Sequence, residues 1–139
     1  MKTRLLRIAC GLLLTLALTG CAGAEAIVLP DAAEVTAVRV TAGDAVTLRT
    51  DRAWIEGFLQ QAAEAVSTGG ESVQDAPDQP GAVRVELGTG EPPDWSVLYV
   101  YEADGACCLE QPYAGIYQGD EALWTFLASG AVPEGRDPR

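Results

Sequence analysis

The chain has 139 residues and no histidine, and its single lysine is Lys2. Histidine is the commonest general base near neutral pH and the commonest protein ligand for transition metals. Serine is scarce as well, because Ser67, Ser72, Ser96 and Ser129 are the whole set and none lies in a nucleophile elbow. We therefore predict no catalytic residues, no metal site and no cofactor.

No apolar run is long enough to cross a bilayer as a helix. The longest extends from Leu5 to Leu18, about 14 residues against the roughly 20 that a spanning helix needs. Lys2, Arg4 and Arg7 lie at its amino end. A positive start, a short apolar region and a small-residue cleavage site are typical of a secretory signal.

The end of this signal is Leu18, Thr19, Gly20 and Cys21, the leucine, small residue, glycine and cysteine of a bacterial lipoprotein signal. We expect cleavage before Cys21 and lipid on its sulfur and amine. Two or more acyl chains anchor a protein stably where one does not. The sequence thus predicts a partner, membrane lipid bound through acylated Cys21, and a location on the extracytoplasmic face of the cell membrane. The alternatives are a signal anchor or an ordinary secretory signal with a chance cysteine.

The charge of the chain becomes more negative when the signal is removed. Six arginines then remain against 20 acidic residues, a net charge of −14. Such a charge argues against nucleic acid as a partner, because phosphate binding needs clustered basic residues. It also argues against a domain lying flat on anionic lipid. The simplest interpretation is solubility near a negative surface, and the alternative is a cluster of acidic residues for a cationic ligand.

The part of the chain after the signal has the length of one domain. We predict a cleaved signal peptide over residues 1–20, a small polar tether over 21–26 and a single domain over 27–132. A disordered tail is expected over 133–139, which has no apolar periodicity.

The first half of the domain predicts a hairpin and a helix. Val38 and Val40 alternate with polar residues, as do Val46 and Leu48 after a turn, which is typical of a β-hairpin. A helix is then predicted from a cap at Thr50 or Asp51 to a stop at Gly69-Gly70. The apolar residues at helical spacing within it are Trp54, Ile55, Phe58, Leu59, Ala62 and Val66.

The second half predicts strands and a last helix. Strands are expected over 83–87, over 95–101 as a central strand covered on both faces, and over 106–110 after a hairpin turn at Asp104-Gly105. The last of these strands can resume at Ile116 and Tyr117 after a kink. A helix follows an Asp120 cap. The order β-β-α-β-β-β-α predicts an α+β fold, an antiparallel sheet of about five strands with two helices packed on one face.

Cys107 and Cys108 are the only cysteines left after cleavage and lipidation. Neighbouring residues on a strand point to opposite faces, and a disulfide between adjacent residues is strained. We expect one of them to be a small core residue and the other to be half-exposed. A vicinal redox pair and an intermolecular bridge are the alternatives.

The segment Glu-Gln-Pro-Tyr-Ala-Gly-Ile-Tyr, residues 110–117, has the most distinctive chemistry. Its proline restricts the backbone and its glycine relaxes it, so that two phenols and a carboxylate are presented together. One interpretation is a recognition surface, and the other is a bulged edge whose tyrosines cover the core. The candidate binding residues here are Glu110, Gln111, Pro112, Tyr113, Gly115 and Tyr117.

This segment, together with residues 97–102 and 71–77, is similar to a family of small Gram-positive lipoproteins that carry a domain of unknown function. The resemblance extends over roughly Ile27 to Leu127. It implies that the Ser72–Pro77 loop and the Glu110–Tyr117 segment belong together, which adds Ser72, Asp75 and Pro77 to the candidate binding residues. Members of that family usually carry aromatic residues at the two cysteine positions, which argues against a general redox role for the cysteines.

The sequence therefore favours a non-enzymatic, membrane-anchored module that binds a protein, a peptide or another envelope ligand through residues 110–117. One alternative is an accessory domain in which Ser72, Asp75 and Tyr113 only stabilise a loop. A second is a hydrolase that uses two carboxyl groups about 5–10 Å apart across a cleft.

Overall fold

The computed structural model describes residues 26–130, which form one antiparallel sheet with two helices. The predicted signal peptide, Cys21 and the predicted tail lie outside the described residues. Within residues 26–130 no helix is long and apolar enough to cross a membrane. The strands are β1 (Val35–Ala42), β2 (Ala45–Arg49), β3 (Val66–Gly70), β4 (Val83–Thr89), β5 (Asp94–Ala103), β6 (Ala106–Gln111) and β7 (Gly115–Gln118), and the helices are α1 (Arg52–Ala63) and α2 (Glu121–Gly130).

The α+β class is confirmed, but the sheet has seven strands where about five were predicted. Their order is β2-β1-β4-β5-β6-β7-β3, and every neighbouring pair is antiparallel. Strand β5 lies in the middle, as its low charge predicted. The two additional strands are β3, which was predicted as the end of a helix, and β7, which was predicted as a continuation of the preceding strand.

The helix α1 ends at Ala63, earlier than predicted, and the chain then forms β3. Val66 was placed on the buried stripe of the helix, yet it is exposed and pairs with Gln118. Two glycines at the end of this segment favour neither helix nor strand, so pairing with a distant strand decides its conformation.

Strand β7 is a separate strand and not the continuation of a kinked β6. The amide of Ala114 donates to the carbonyl of Gln111 over 3.0 Å and closes a tight turn. The chain reverses there, so that Glu110 pairs with Ile116. Proline at the second position of a β-turn is common because its fixed φ suits the turn.

Both helices pack on one side of the sheet, which we name the helix face. The Asp51 carboxylate caps α1 by accepting a hydrogen bond from the Trp54 amide, 3.1 Å away. Trp54 stacks on Phe58 of its own helix and contacts Phe126 of α2. Each fully buried Leu, Val or Phe contributes about 1.5–3 kcal/mol. The buried core residues of the sheet on this face include Val38, Val40, Val85, Leu87, Leu98, Val100, Leu109 and Tyr117.

On the opposite side, which we name the open face, residues 26–130 place no helix. Trp95, Val97 and Tyr99 of β5 are therefore only half-buried, and the prediction that this strand is covered on both faces was wrong. Residues 71–82, which we name the crossover loop, connect β3 at one edge to β4 on the other side of β5. The loop packs against the open face at Glu110.

Candidate binding surface

The structure brings the Ser72–Pro77 loop and the Glu110–Tyr117 segment into contact. The Ser72 hydroxyl donates to Oε1 of Glu110 over 2.7 Å. Tyr101 donates its phenolic hydrogen to Oε2 of the same carboxylate over 3.1 Å. Ser72 is 5% exposed and Glu110 is 3% exposed, so this contact is excluded from water. The crossover loop is thereby attached to strand β6.

The hairpin of β5 and β6 places Tyr101 next to Glu110. Asp104 and Gly105 at its turn have φ values of 52° and 75°. Two positive φ angles in a two-residue loop are typical of a type I′ turn, which fits the twist of the strands. The turn fixes a register in which Tyr99 is opposite Glu110 and Tyr101 is opposite Cys108. Diagonal neighbours of this kind are within reach of an aromatic side chain.

The network around Glu110 satisfies a buried carboxylate with two donors. A buried charge without hydrogen bonds is strongly unfavourable, and hydrogen bonds to a charged group contribute about 1.5–3 kcal/mol each. Burial, and then the hydrogen bond to Glu110 and its charge, raise the pKa of Tyr101 well above its usual value. Tyr101 therefore stays protonated and remains a donor.

Tyr113 makes the second contact between the two segments, and it is exposed. Its hydroxyl donates to Oδ1 of Asp75 over 2.8 Å, and the residue is 67% exposed. The hydrogen bond to Asp75, followed by the charge of that carboxylate, raises the pKa of Tyr113. Tyr113 also has a φ of 60°, in the left-handed region where glycine is preferred.

A groove lies between the crossover loop and the turn before β7. Its volume is about 320 Å³. Val73 on its rim is 75% exposed, although it is a large apolar residue. The groove is lined by Glu71, Ser72, Val73, Tyr113 and Ala114.

The remaining candidate residues have other positions. The side-chain amide of Gln111 donates from Nε2 to the carbonyl of Val28 over 2.7 Å, which connects the segment before β1 to the end of β6. Tyr117 is buried in the core of the helix face, so the two phenols of the motif are not presented together as predicted. Gly115 is buried, and a Cβ there would lie 3.2 Å from the Tyr117 hydroxyl. Pro112 and Pro77 are half-buried in the turn and in the loop.

The cysteines follow the alternation expected for a strand. Cys107 is buried and Cys108 is half-buried, and both are free thiols. Burial is the main reason that the pKa of Cys107 is raised to about 11, and burial also raises the pKa of Cys108. Both groups are thus protonated near neutral pH. Among residues 26–130 no group of three His, Cys, Asp or Glu side chains could hold a metal ion.

The fold and the site together define a small α+β domain with one open sheet face, a buried Ser–Glu–Tyr network and an exposed aromatic residue beside it. Residues 23–118 match the model of the DUF5301 family, whose description is a domain of unknown function (DUF5300), and the chain belongs to this family. No curated protein matches the sequence.

The chain is also similar to a protein from Ruminococcus gnavus whose NMR structure is known. The two share 23% sequence identity and superpose with a TM-score of 0.59. The match covers 68% of this chain and 91% of the other. At this identity the similarity shows the fold and nothing about the ligand.

Proposed function

We propose that the protein is a lipid-anchored, non-enzymatic binding module on the extracytoplasmic face of the cell membrane. Acylated Cys21 holds it at the membrane. The crossover loop and the turn before β7 contact a protein or peptide of the cell envelope. The contact residues are Val73 and Tyr113, and the buried pair Ser72 and Glu110 supports them from below.

The conformation of Tyr113 is the observation that carries the proposal. Tyr113 follows Pro112 and is the third residue of the turn, where its φ of 60° is one that glycine or asparagine usually adopts. A left-handed backbone costs an ordinary residue about 1–2 kcal/mol. The ring is largely exposed, so burial in the core does not offset this cost. Strained residues cluster at binding and active sites, where the strain has a role in function.

The support below Tyr113 favours binding over a flexible surface loop. Ser72 is held by a buried hydrogen bond to Glu110, and Asp75 accepts an exposed hydrogen bond from Tyr113, so the 72–75 segment contacts β6 and the turn after it at both ends. Val73 lies between these two anchors and is exposed. A rigid surface loses less conformational entropy on binding than a mobile one. Exposed aromatic side chains are frequent among the residues that dominate binding energy.

The accessory, purely structural role fits only half of the site. Ser72, Glu110 and Tyr101 are buried and bond to one another, as a structural role requires. Tyr113 and Val73 are exposed, and a structural role does not require them to be so. Both oxygens of Glu110 are engaged by neutral donors, so this carboxylate is held in place and is not presented for the carboxylate-based hydrolase.

Binding is tested by site-specific photo-crosslinking of the full chain in native envelopes. A photo-reactive residue at Val73 should give a defined adduct, which Tyr113→Ala abolishes and which Tyr113→Phe, keeping the ring but losing the bond to Asp75, reduces less. The matched control is the same probe at Val46, an exposed valine on β2. Equal adducts from both sites, or an unchanged adduct in Tyr113→Ala, would contradict the proposal.

Anchoring is tested separately by labelling with palmitate. The intact protein should incorporate the label and sediment with membranes, and Cys21→Ala should do neither. An unlabelled wild-type protein would contradict the anchor without affecting the test of binding.

A further inference from the structure

Two arginines share one buried carboxylate on the open face, at a distance from the groove around Tyr113. Nη1 of Arg39 lies 3.2 Å from Oε2 of Glu86, and Nη2 of Arg84 lies 3.1 Å from Oε1. Arg39 and Glu86 are directly opposite on β1 and β4. Glu86 is only 8% exposed. We name these three residues the arginine triad.

The triad has a net positive charge in a strongly acidic domain. Two guanidinium groups meet one carboxylate, which leaves one positive charge uncompensated within the triad. Residues 26–130 contain 17 acidic residues, no lysine and four arginines, so that half of the basic charge is gathered here.

The guanidinium groups are held in place and are still accessible. Cζ of Arg39 lies 4.4 Å from the ring centroid of Trp95, a cation–π contact. The indole lies over Gly88, where a Cβ would be 2.9 Å from Cζ3 of the ring. Arg84 is opposite Tyr99 in the sheet. The side chains of Arg39 and Arg84 are 39% and 46% exposed.

Each arginine uses only part of its donor set on Glu86. A guanidinium carries five N–H donors in a planar fork that suits carboxylate and phosphate oxygens. The hydrogen bonds of Arg39 and Arg84 to Glu86 each use a single nitrogen. Among residues 26–130 neither side chain makes another hydrogen bond, and both are partly exposed.

We infer that the arginine triad binds a singly charged oxyanion, a carboxylate or a phosphodiester, carried on a ligand with a flat apolar body. One negative charge neutralises the triad, so a monoanion is sufficient to pair with the charge that Glu86 leaves uncompensated. Charge-assisted hydrogen bonds from the two guanidinium groups hold the oxygens. Trp95 and Tyr99 contact the apolar body. This site is independent of the surface at Tyr113.

To test the inference, the full chain in neutral detergent is titrated with small probes. The chemical shift of the Trp95 indole N–H in the NMR spectrum reports binding. The probes are benzoate, its neutral isostere benzamide, and diethyl phosphate. Benzoate or diethyl phosphate should give a saturable shift, and benzamide should give none. A shift with benzoate alone identifies a carboxylate ligand, and one with diethyl phosphate alone identifies a phosphodiester. No shift with either anion, or equal shifts with benzamide, would overturn the inference.

Two variants separate binding from a purely structural role of the triad. Arg84→Gln should lower the affinity for the anion by about tenfold or more, since hydrogen bonds from a charged donor are lost. Glu86→Gln leaves both arginines and should strengthen binding, because the competing carboxylate is removed. The matched control is Arg49→Gln, which removes the arginine of another arginine–tryptophan pair, Arg49 over Trp54.

The Glu86→Gln variant decides the matter if Arg84→Gln does not fold. An affinity in Glu86→Gln equal to or lower than that of the wild type would overturn the inference. Equal losses in Arg84→Gln and Arg49→Gln would overturn it as well.

Discussion

Ser72 and Glu110 are 38 residues apart in the sequence, yet Oγ of the serine lies 2.7 Å from Oε1 of the glutamate in a buried position. This contact joins the crossover loop to the strand whose end carries Tyr113. A buried carboxylate that loses a donor pays a desolvation penalty that a surface group avoids. The hydrogen bond between Ser72 and Glu110 therefore contributes both to the stability of the domain and to the shape of the candidate surface.

Ser72→Ala should lower the free energy of unfolding by about 1–3 kcal/mol, because Glu110 then keeps only the donor from Tyr101. Urea denaturation at neutral pH measures the change. The matched control is Ser129→Ala, whose exposed hydroxyl bonds to the Phe126 carbonyl and should contribute within about 0.5 kcal/mol. Equal losses in the two variants would contradict the role assigned to Ser72.

Tyr113→Gly should be more stable than Tyr113→Phe. Both variants lose the hydrogen bond to Asp75, but only glycine adopts the φ of 60° without strain. The comparison of their unfolding midpoints in urea sets the relief of backbone strain against the greater unfolded-state entropy of glycine and the loss of the exposed ring. A glycine variant that unfolds before the phenylalanine variant would contradict the prediction that relief of strain is the larger effect.

The free energy of unfolding should fall as the pH rises from 9 to about 11, and Cys107 is one cause. Burial raises the pKa of this thiol from 9.0 to about 11, so the folded state holds its proton over that interval while the unfolded state releases it. The contribution is complete below pH 9 and is lost as the pH rises through the folded value. Cys107→Ala should therefore have a flatter pH profile of the unfolding free energy than Cys108→Ala. Identical profiles would count against the raised pKa.

Gly57→Ala and Gly88→Ala should change stability in opposite directions. At Gly57, inside α1, an added Cβ comes no closer than 3.4 Å to the Phe126 ring, and alanine is favoured in a helix by about 1 kcal/mol. At Gly88 the Cβ would lie 2.9 Å from the Trp95 ring, and overpacking of this kind costs about 1–3 kcal/mol. Thermal unfolding measures both. A Gly88→Ala protein as stable as Gly57→Ala would show that the indole moves away freely.

The elements that sequence reasoning found are those with strong local signals. The Asp104-Gly105 turn requires two positive φ angles, which these residue types adopt readily. The cap at Asp51 depends only on the first turn of its own helix. Strand β3 has no such signal, because most of its residues are exposed and its pairing with β7 is distant in sequence. Its strand conformation follows from tertiary contact and could not be derived from local propensity.

The candidate site was predicted in part. The family resemblance implied that the loop and the motif belong together, and the contacts of Ser72 and Asp75 agree. Tyr101 was missed, although counting back from the Asp104-Gly105 turn places it diagonal to Glu110. Tyr117 is not presented beside Tyr113, because pairing of Glu110 with Ile116 puts Ile116 on the open face and Tyr117 in the core, as the alternative interpretation of the segment had it. The two faces of a strand alternate residue by residue, so the register decides which side chain is exposed.

An isolated bridge pairs Ala26 with Val66, so the first described residue lies beside the edge strand β3. Four residues lie between Cys21 and Ala26, so the five Cα–Cα steps reach at most about 18 Å. Six inter-strand spacings separate β3 from β2, a distance of roughly 29 Å. Under the proposed lipidation of Cys21, the membrane attachment would therefore be on the β3 side of the sheet. The arginine triad on β1 and β4 lies toward the other edge of the sheet.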